Sequence, residues 1–109
     1  MRNILAVSLM LAATPAAAQL SAADEQLCTE ISKTSETIMT ARQRGIPMRD
    51  VMQVLLNSSL SENATDAMVM VVNNAYKEPK FATSRNQKET AVEFGSKQYR
   101  LCREARENK

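Results

Sequence analysis

The 109-residue chain contains no histidine and no tryptophan, and it has only two cysteines and two glycines. Without histidine it lacks the commonest acid–base residue and the usual activator of a serine or cysteine nucleophile. Two cysteines alone cannot supply the four ligands of a structural zinc site, and two distant glycines cannot form a glycine-rich phosphate loop. We therefore expect a protein that is not an enzyme, with no catalytic residue, no metal site and no cofactor.

The first eighteen residues have the pattern of a secretory signal peptide. A basic start at Arg2 is followed by an uncharged apolar stretch over residues 4–13 and by small residues up to Ala18. The apolar stretch is too short to span a bilayer, so an uncleaved N-terminal anchor is the weaker alternative. The sequence thus predicts cleavage after Ala18 and a single domain over residues 19–109, periplasmic or secreted, with no membrane span.

Cys28 and Cys102 both lie in the predicted mature domain. Export places them in an oxidising compartment, where two cysteines in a small protein indicate an intramolecular disulfide. The C-x-x-C spacing of redox-active sites is absent. A domain of roughly 90 residues has a thin hydrophobic core, so we expect this bond to supply a large part of its stability.

Apolar residues recur at spacings of three and four along most of the mature chain, and no stretch alternates as a strand would. This pattern predicts an all-α fold, a small bundle of about four helices with short connections. Capping and helix-breaking residues mark the boundaries. They are Ser21 and Gly45 for the first helix, Pro47 for the start of the second, Ser59 or Ser61 and Pro79 for the third, and Ser84 for the fourth.

The disulfide and the charge pattern predict how the helices meet. Cys28 lies early in the first helix and Cys102 late in the fourth, so a bond between them requires these helices to run antiparallel. Residues 24–36 are acidic overall and residues 97–109 are basic overall. We expect the two stretches to neutralise each other across the helix pair. Because the basic stretch has a single aromatic residue, Tyr99, and the protein is expected to be exported, nucleic-acid binding is not expected.

Two features of the sequence are not explained by a simple bundle core. The apolar run over residues 67–72 of the third helix turns part of its surface away from the predicted core stripe, and Val54 is displaced in the same way. These residues form either an interface, including a homodimer, or part of an irregular core. The corner over residues 42–49 carries three arginines, which either stabilise a helix C-terminus or bind an anion. The candidate interface residues are Val69, Met70, Tyr76, Arg42, Arg44 and Arg49.

The pattern resembles a family of small exported single-disulfide helical proteins of proteobacteria and their phages. The resemblance covers most of the mature chain, and its motifs are structural, so it implies export and fold but no activity. In architecture alone the chain is also similar to periplasmic acid-stress chaperones and to small lysozyme inhibitors. The residues that carry the family resemblance are Cys28, Ile38, Met39, Arg42, Gln43, Gly45, Met48, Ala75, Tyr76, Pro79, Phe94 and Cys102.

The sequence therefore predicts a small exported protein that acts by binding. The leading hypothesis is an inhibitor or modulator of an envelope or cell-wall enzyme, with a protein partner in the envelope. The alternative is a periplasmic acid-stress holdase chaperone. In strong acid the 12 carboxylates lose their charge while the basic side chains keep theirs, and the resulting repulsion would open the bundle.

Overall fold

The computed structural model describes residues 20–108, which form four α-helices and no strand. The helices are α1 (Ala22–Gln43), α2 (Met48–Leu56), α3 (Glu62–Lys77) and α4 (Ser84–Glu107). The predicted all-α, single-disulfide fold is therefore confirmed. The predicted signal peptide over residues 1–18 lies outside the described residues.

Local capping explains where the helices begin and end. The Ser21 and Ser61 hydroxyls accept hydrogen bonds from backbone amides in the first turns of α1 and α3, as predicted for Ser21 and as one of two options for Ser61. Gly45 follows α1 with φ of +81°, a left-handed conformation that suits glycine. The prediction of Ser84 as the α4 cap is wrong: Thr83 accepts from the Asn86 amide instead, one residue earlier.

Helix α1 is the centre of the packing. α4 packs along one side of α1, α3 packs against another side, and α2 packs mainly on α3 with little contact to α1. Arg42 at the end of α1 donates a hydrogen bond to the Glu78 carbonyl just after α3, so these two helices run in the same direction. The predicted antiparallel packing of α1 with α4 is confirmed by the bond between Cys28 and Cys102. Helices α1 and α3 are parallel because the short α2 reverses the chain between them.

The α1–α4 pair is held at one end by the predicted disulfide and ion pairs. Cys28 and Cys102 are bonded, with their Cα atoms 5.5 Å apart. One turn away, an Arg103 guanidinium nitrogen lies 2.8 Å from a Glu25 carboxylate oxygen, and Arg106 lies 3.7 Å from Asp24. The Tyr99 hydroxyl also donates to Glu25. The predicted neutralisation between the acidic and basic stretches is confirmed at these contacts.

The core lies where α3 and α4 meet α1. The spacing of apolar residues in α3 and α4 predicts buried stripes that include Ala67, Leu101 and Ala105, but these three residues are exposed. Because α4 packs mainly on α1, the α4 residues that face α1 are covered, and the outer part of its apolar stripe stays in solvent. The buried apolar cluster consists of Ile38, Met39, Leu55, Met68, Val71, Val72, Ala75, Ala91 and Phe94.

Helices α1 and α4 approach most closely at Gly95. The Ser32 hydroxyl donates a 2.8 Å hydrogen bond to the Gly95 carbonyl, and a Cβ on Gly95 would lie 2.9 Å from the Ser32 backbone oxygen and 3.2 Å from Glu36 Cβ. A backbone oxygen cannot move aside as a flexible side chain can. Glycine in the middle of this helix is therefore required by packing against α1, despite its poor helix propensity.

We expect Gly95→Ala to lower the free energy of unfolding. Helix propensity favours alanine by about 1 kcal/mol, but overpacking against a fixed backbone costs about 1 to 3 kcal/mol. The expected net loss is up to about 2 kcal/mol, measured by urea denaturation. Ser96→Ala at the exposed neighbouring position is the matched control and should leave stability unchanged or slightly raised. A Gly95→Ala variant more stable than the wild type would contradict the close approach.

Candidate functional site

A stripe on α1 remains without a full helix partner. Its five residues follow the spacing of four and three that forms the seam between packed helices. Leu27 and Ile31 are half-buried, although they lie on the apolar face that the sequence predicts as core. The stripe is not covered by α4 or fully by α3, because α2 packs mainly on α3 and makes little contact with α1. The stripe residues are Leu27, Ile31, Thr34, Ile38 and Ala41.

Two cavities follow this stripe and run into each other. The first, of about 510 Å³, lies between the second half of α1 and α2. The second, of about 370 Å³, lies between the first half of α1 and the start of α3. Thr34 and Leu60 line both. Together they form one open depression, which we call the α1 trough. At 1.5 Å per residue, the α1 stripe from Leu27 to Ala41 makes it about 21 Å long.

The opposite wall of the α1 trough is also apolar. Ile46 at the corner, Val54 on α2 and Leu60 before α3 all line the trough and are exposed, Val54 by 74% of its surface. Val51 and Leu55 lie deeper, next to the core. Scattered single exposed apolar residues are ordinary, but several that line one concave surface are typical of a binding site.

The α1 trough has the shape of a vacant helix position. It lies between α1 and α2, and the residues at its floor, Ile38 and Leu55, belong to the same core cluster as the buried face of α3. A helix placed there would contact both α1 and α2. The lining is mostly apolar, with Glu30, Asp50 and Arg106 as its charged side chains, and an apolar lining suits burial of apolar side chains.

Few charged side chains line the α1 trough. At the corner end the charged residue in the lining is Asp50, whereas Arg44 and Arg49 are exposed nearby but lie outside the lining. At the other end, Glu30 lines the trough and Glu62 begins α3. Arg106 also lines this end, but its guanidinium faces the Asp24 carboxylate at 3.7 Å.

The predicted apolar interface residues do not form a patch. Val69 is half-buried and packs against the core cluster, so its predicted displacement from the core is wrong. Met70 is 66% exposed, as predicted, but it does not line the α1 trough. Other methionines belong to the core: Met39 and Met68 are buried, and Met52 is half-buried against the same cluster.

Arg42 and Tyr76 contact each other and anchor α3 to the corner. The Arg42 guanidinium lies 5.4 Å from the Tyr76 ring centre, in cation–π geometry. The Tyr76 hydroxyl donates to the Ile46 carbonyl. Partial burial raises the pKa of the Tyr76 hydroxyl above its ordinary value, against the opposing effect of the Arg42 charge. These contacts give both residues a structural part in shaping the corner end of the α1 trough.

Arg44 and Arg49 are the two predicted candidates that remain available to a ligand. Arg44 borders a cleft between the end of α1 and the start of α4. Arg49 faces its neighbour Asp50 at 3.7 Å, with most of its side chain in solvent. Of the six candidates, Val69 packs on the core, Met70 is isolated, and Arg42 and Tyr76 anchor α3. Arg44 and Arg49 are exposed but line neither cavity of the α1 trough.

The described fold and site define a small all-α, single-disulfide protein with an open apolar trough. No family model, curated protein or solved structure matches this chain. Within residues 20–108, no three cysteine, aspartate or glutamate side chains are placed to hold a metal ion. None of the helices in that part of the chain combines the length and the apolar character needed to cross a membrane.

Proposed function

We propose that this chain is a small exported binding protein without catalytic activity, which takes an amphipathic helix of a protein partner in the α1 trough. The single observation that carries the proposal is the incompletely covered stripe from Leu27 to Ala41, faced by exposed Ile46, Val54 and Leu60. The partner is an envelope or cell-wall enzyme that the chain inhibits or modulates. Export rests on the signal-like start and on the disulfide.

The dimensions of the α1 trough support a helix as the occupant. The stripe covers fifteen residues, about four helical turns, which is the length over which an amphipathic helix buries residues i, i+4, i+7 and i+11. An occupant helix would restore the cover that α1 lacks on this side.

We expect Val54→Asp to weaken partner binding by about 10- to 100-fold. Full burial of a valine side chain is worth about 1.5 kcal/mol or more, and a carboxylate in the interface adds a desolvation cost. The measurement is fluorescence anisotropy of a labelled 15-residue amphipathic peptide with leucines at positions 1, 5, 8 and 12. Because Val54 is mostly exposed in the free protein, the variant should fold like the wild type.

Val92→Asp provides the matched control. Val92 is an exposed valine on α4 and lies outside the lining of the α1 trough. Its substitution introduces the same charge into the same fold and should leave the affinity within twofold of the wild type. Equal losses at the two positions, or a peptide that does not bind the wild type at all, would contradict the proposal.

Partner identity is open to a position-specific experiment. A photo-reactive amino acid at position 54 should crosslink the partner in cells, while the same group at position 92 should not. The purified partner is then assayed alone, with the wild type and with Val54→Asp. A change in its activity that requires the wild-type trough supports an inhibitor or modulator. If the activity of the partner does not change, the proposed inhibition or modulation is wrong, although the chain still binds the partner.

A second candidate function is an acid-stress holdase, favoured by the ion pairs at the disulfide end. Glu25 with Arg103 and Asp24 with Arg106 hold α1 to α4 only while the carboxylates are charged. In strong acid these attractions are lost and the remaining positive charges repel. The disulfide would keep α1 and α4 joined while α2 and α3 loosen and widen the α1 trough.

Light scattering of an aggregating client protein separates the two functions. A holdase suppresses aggregation at pH 3 and not at pH 7, and Val54→Asp weakens that suppression. A specific binding protein shows no suppression at either pH but binds its helix at pH 7. Many bundles expand in acid without acting as chaperones, so expansion alone does not support the holdase.

A further inference from the structure

Resting on the proposed function, we infer that the α1 trough also takes the α2 helix of a second copy of this chain, so that self-association and binding of the partner helix exclude each other. In this two-fold dimer, each α2 lies between the α1 and the α2 of the other copy. The carrying observation is that one chain supplies both an open apolar groove and, as a wall of that groove, a short amphipathic helix.

The exposed apolar surface is concentrated around α2. Of the seven large apolar side chains that are exposed among residues 20–108, four lie between Ile46 and Leu60. Residues 51–61 carry no charge, and residues 34–76 include no lysine. Interfaces between proteins are depleted in lysine and have few charges at their centre. The composition around α2 therefore suits contact with another protein.

The lack of charge favours a second copy as that protein. A two-fold interface brings the same surface of both copies together, so a charge close to the axis meets the same charge of the other copy. Such a contact between like charges is strongly unfavourable. The uncharged second half of α2 can lie at the axis without this cost. Asp50 is the charged side chain that α2 contributes to the lining, and it lies one turn before Val54.

The spacing along α2 sets the register of the two copies. Asp50, Val54 and Ser58 are four residues apart, and all three line the same cavity. When two α2 helices run antiparallel about an axis at Val54, each Val54 packs on the other, and each Asp50 lies opposite Ser58 of the second copy. The Ser58 hydroxyl, which donates to the Leu55 carbonyl in the single copy, can turn to donate to that carboxylate. In this register the most exposed part of α2 lining the trough becomes the centre of the interface.

A second copy covers the α1 trough less completely than the proposed partner does. The α2 helix has nine residues, against about fifteen for a helix that follows the whole stripe. It therefore buries less apolar surface and forms the weaker complex. A partner helix displaces the second copy. The dimer thus keeps the apolar trough out of water only until that helix arrives.

Sedimentation equilibrium tests the inference, with and without the amphipathic peptide that carries leucines at positions 1, 5, 8 and 12. We expect a reversible dimer that the peptide converts to monomers with one peptide each. Val54→Asp should raise the dissociation constant of the dimer about tenfold or more, because two carboxylates then meet at the axis. Val92→Asp, at the exposed position on α4, should leave it within twofold of the wild type.

Two further variants test the register. Ser58→Arg places a guanidinium opposite each Asp50 of the other copy and should tighten the dimer about threefold, a gain that added Asp50→Asn removes. A short bis-maleimide should join two copies of Val54→Cys and should not join two copies of Val92→Cys. The introduced thiol reacts alone, because Cys28 and Cys102 are bonded to each other.

The outcomes separate the inference from the proposed function. A protein that stays monomeric at about 1 mM but binds the peptide would overturn the inference and leave the proposed function standing. A dimer that persists with the peptide bound would do the same, because the two copies would then meet at another surface. A dimer that Val54→Asp dissociates, in a protein that no peptide binds, would overturn the proposed function instead.

Discussion

Reduction of the Cys28–Cys102 disulfide is expected to lower the free energy of unfolding by about 4 kcal/mol. The bond closes a loop of 74 residues, nearly the whole described domain, and therefore removes many conformations from the unfolded chain. The two ion pairs beside it, from Glu25 and Asp24, are too exposed to replace it. For a domain of this size the loss corresponds to a fall in Tm of roughly 15 to 30 °C.

The measurement is thermal and urea denaturation with and without dithiothreitol. Cys28→Ala with Cys102→Ala should match the reduced wild type and should not respond to dithiothreitol, which separates loss of the bond from other effects of the reductant. Amide exchange should increase first in the early turns of α1 and the last turns of α4, where the bond lies. Equal stability of the oxidised and reduced protein would show that packing of α4 on α1 is sufficient.

Replacement of Gln43 by Met is expected to cost about 2 to 3 kcal/mol. Gln43 is only 1% exposed, and its side-chain amide connects the end of α1 to the segment before α4. Nε2 donates to the Pro79 carbonyl at 2.8 Å, and Oε1 accepts from the Phe81 amide at 2.8 Å. Methionine has a similar volume but makes neither bond, so two partly buried backbone groups would lose their partner.

Urea denaturation measures the loss, and amide exchange localises it. Exchange of the Phe81 amide should accelerate strongly, because its acceptor is removed. Gln53→Met, the same change at an exposed position on α2, is the matched control and should alter stability by less than about 0.5 kcal/mol. If Gln43→Met were as stable as the control, the connection between α3 and α4 would be held by other contacts.

Local signals in the sequence were sufficient for the helices themselves. The caps at Ser21 and Gly45 and the stop before Pro79 depend on backbone chemistry within a few residues, so they can be predicted without knowledge of the fold. The Thr83 cap was missed because Thr83 and Ser84 have equivalent hydroxyls, and the sequence does not distinguish adjacent candidates. Gln43 gave no signal as a buried residue, since its partners lie 36 and 38 positions away.

The candidate interface was predicted less well. A helical wheel correctly placed Met70 in solvent but wrongly displaced Val69, because a neighbouring helix covers a wider arc than a narrow stripe suggests. Val54 carried a usable signal, since it departs from the face that the other apolar residues of α2 share. The spacing from Leu27 to Ala41 was also visible, but an apolar stripe looks the same whether or not another helix covers it.

Residue type and spacing alone thus determine the all-helical class and most helix caps, because these depend on local chemistry. They also determine the pairing of Cys28 with Cys102, because two cysteines allow a single intramolecular disulfide. The α1 trough is different. It exists because α2 packs on α3 and leaves one side of α1 uncovered. Which helix α2 packs against depends on how much apolar surface each arrangement buries. These are contacts between residues far apart in the sequence, so only the tertiary structure decides the outcome.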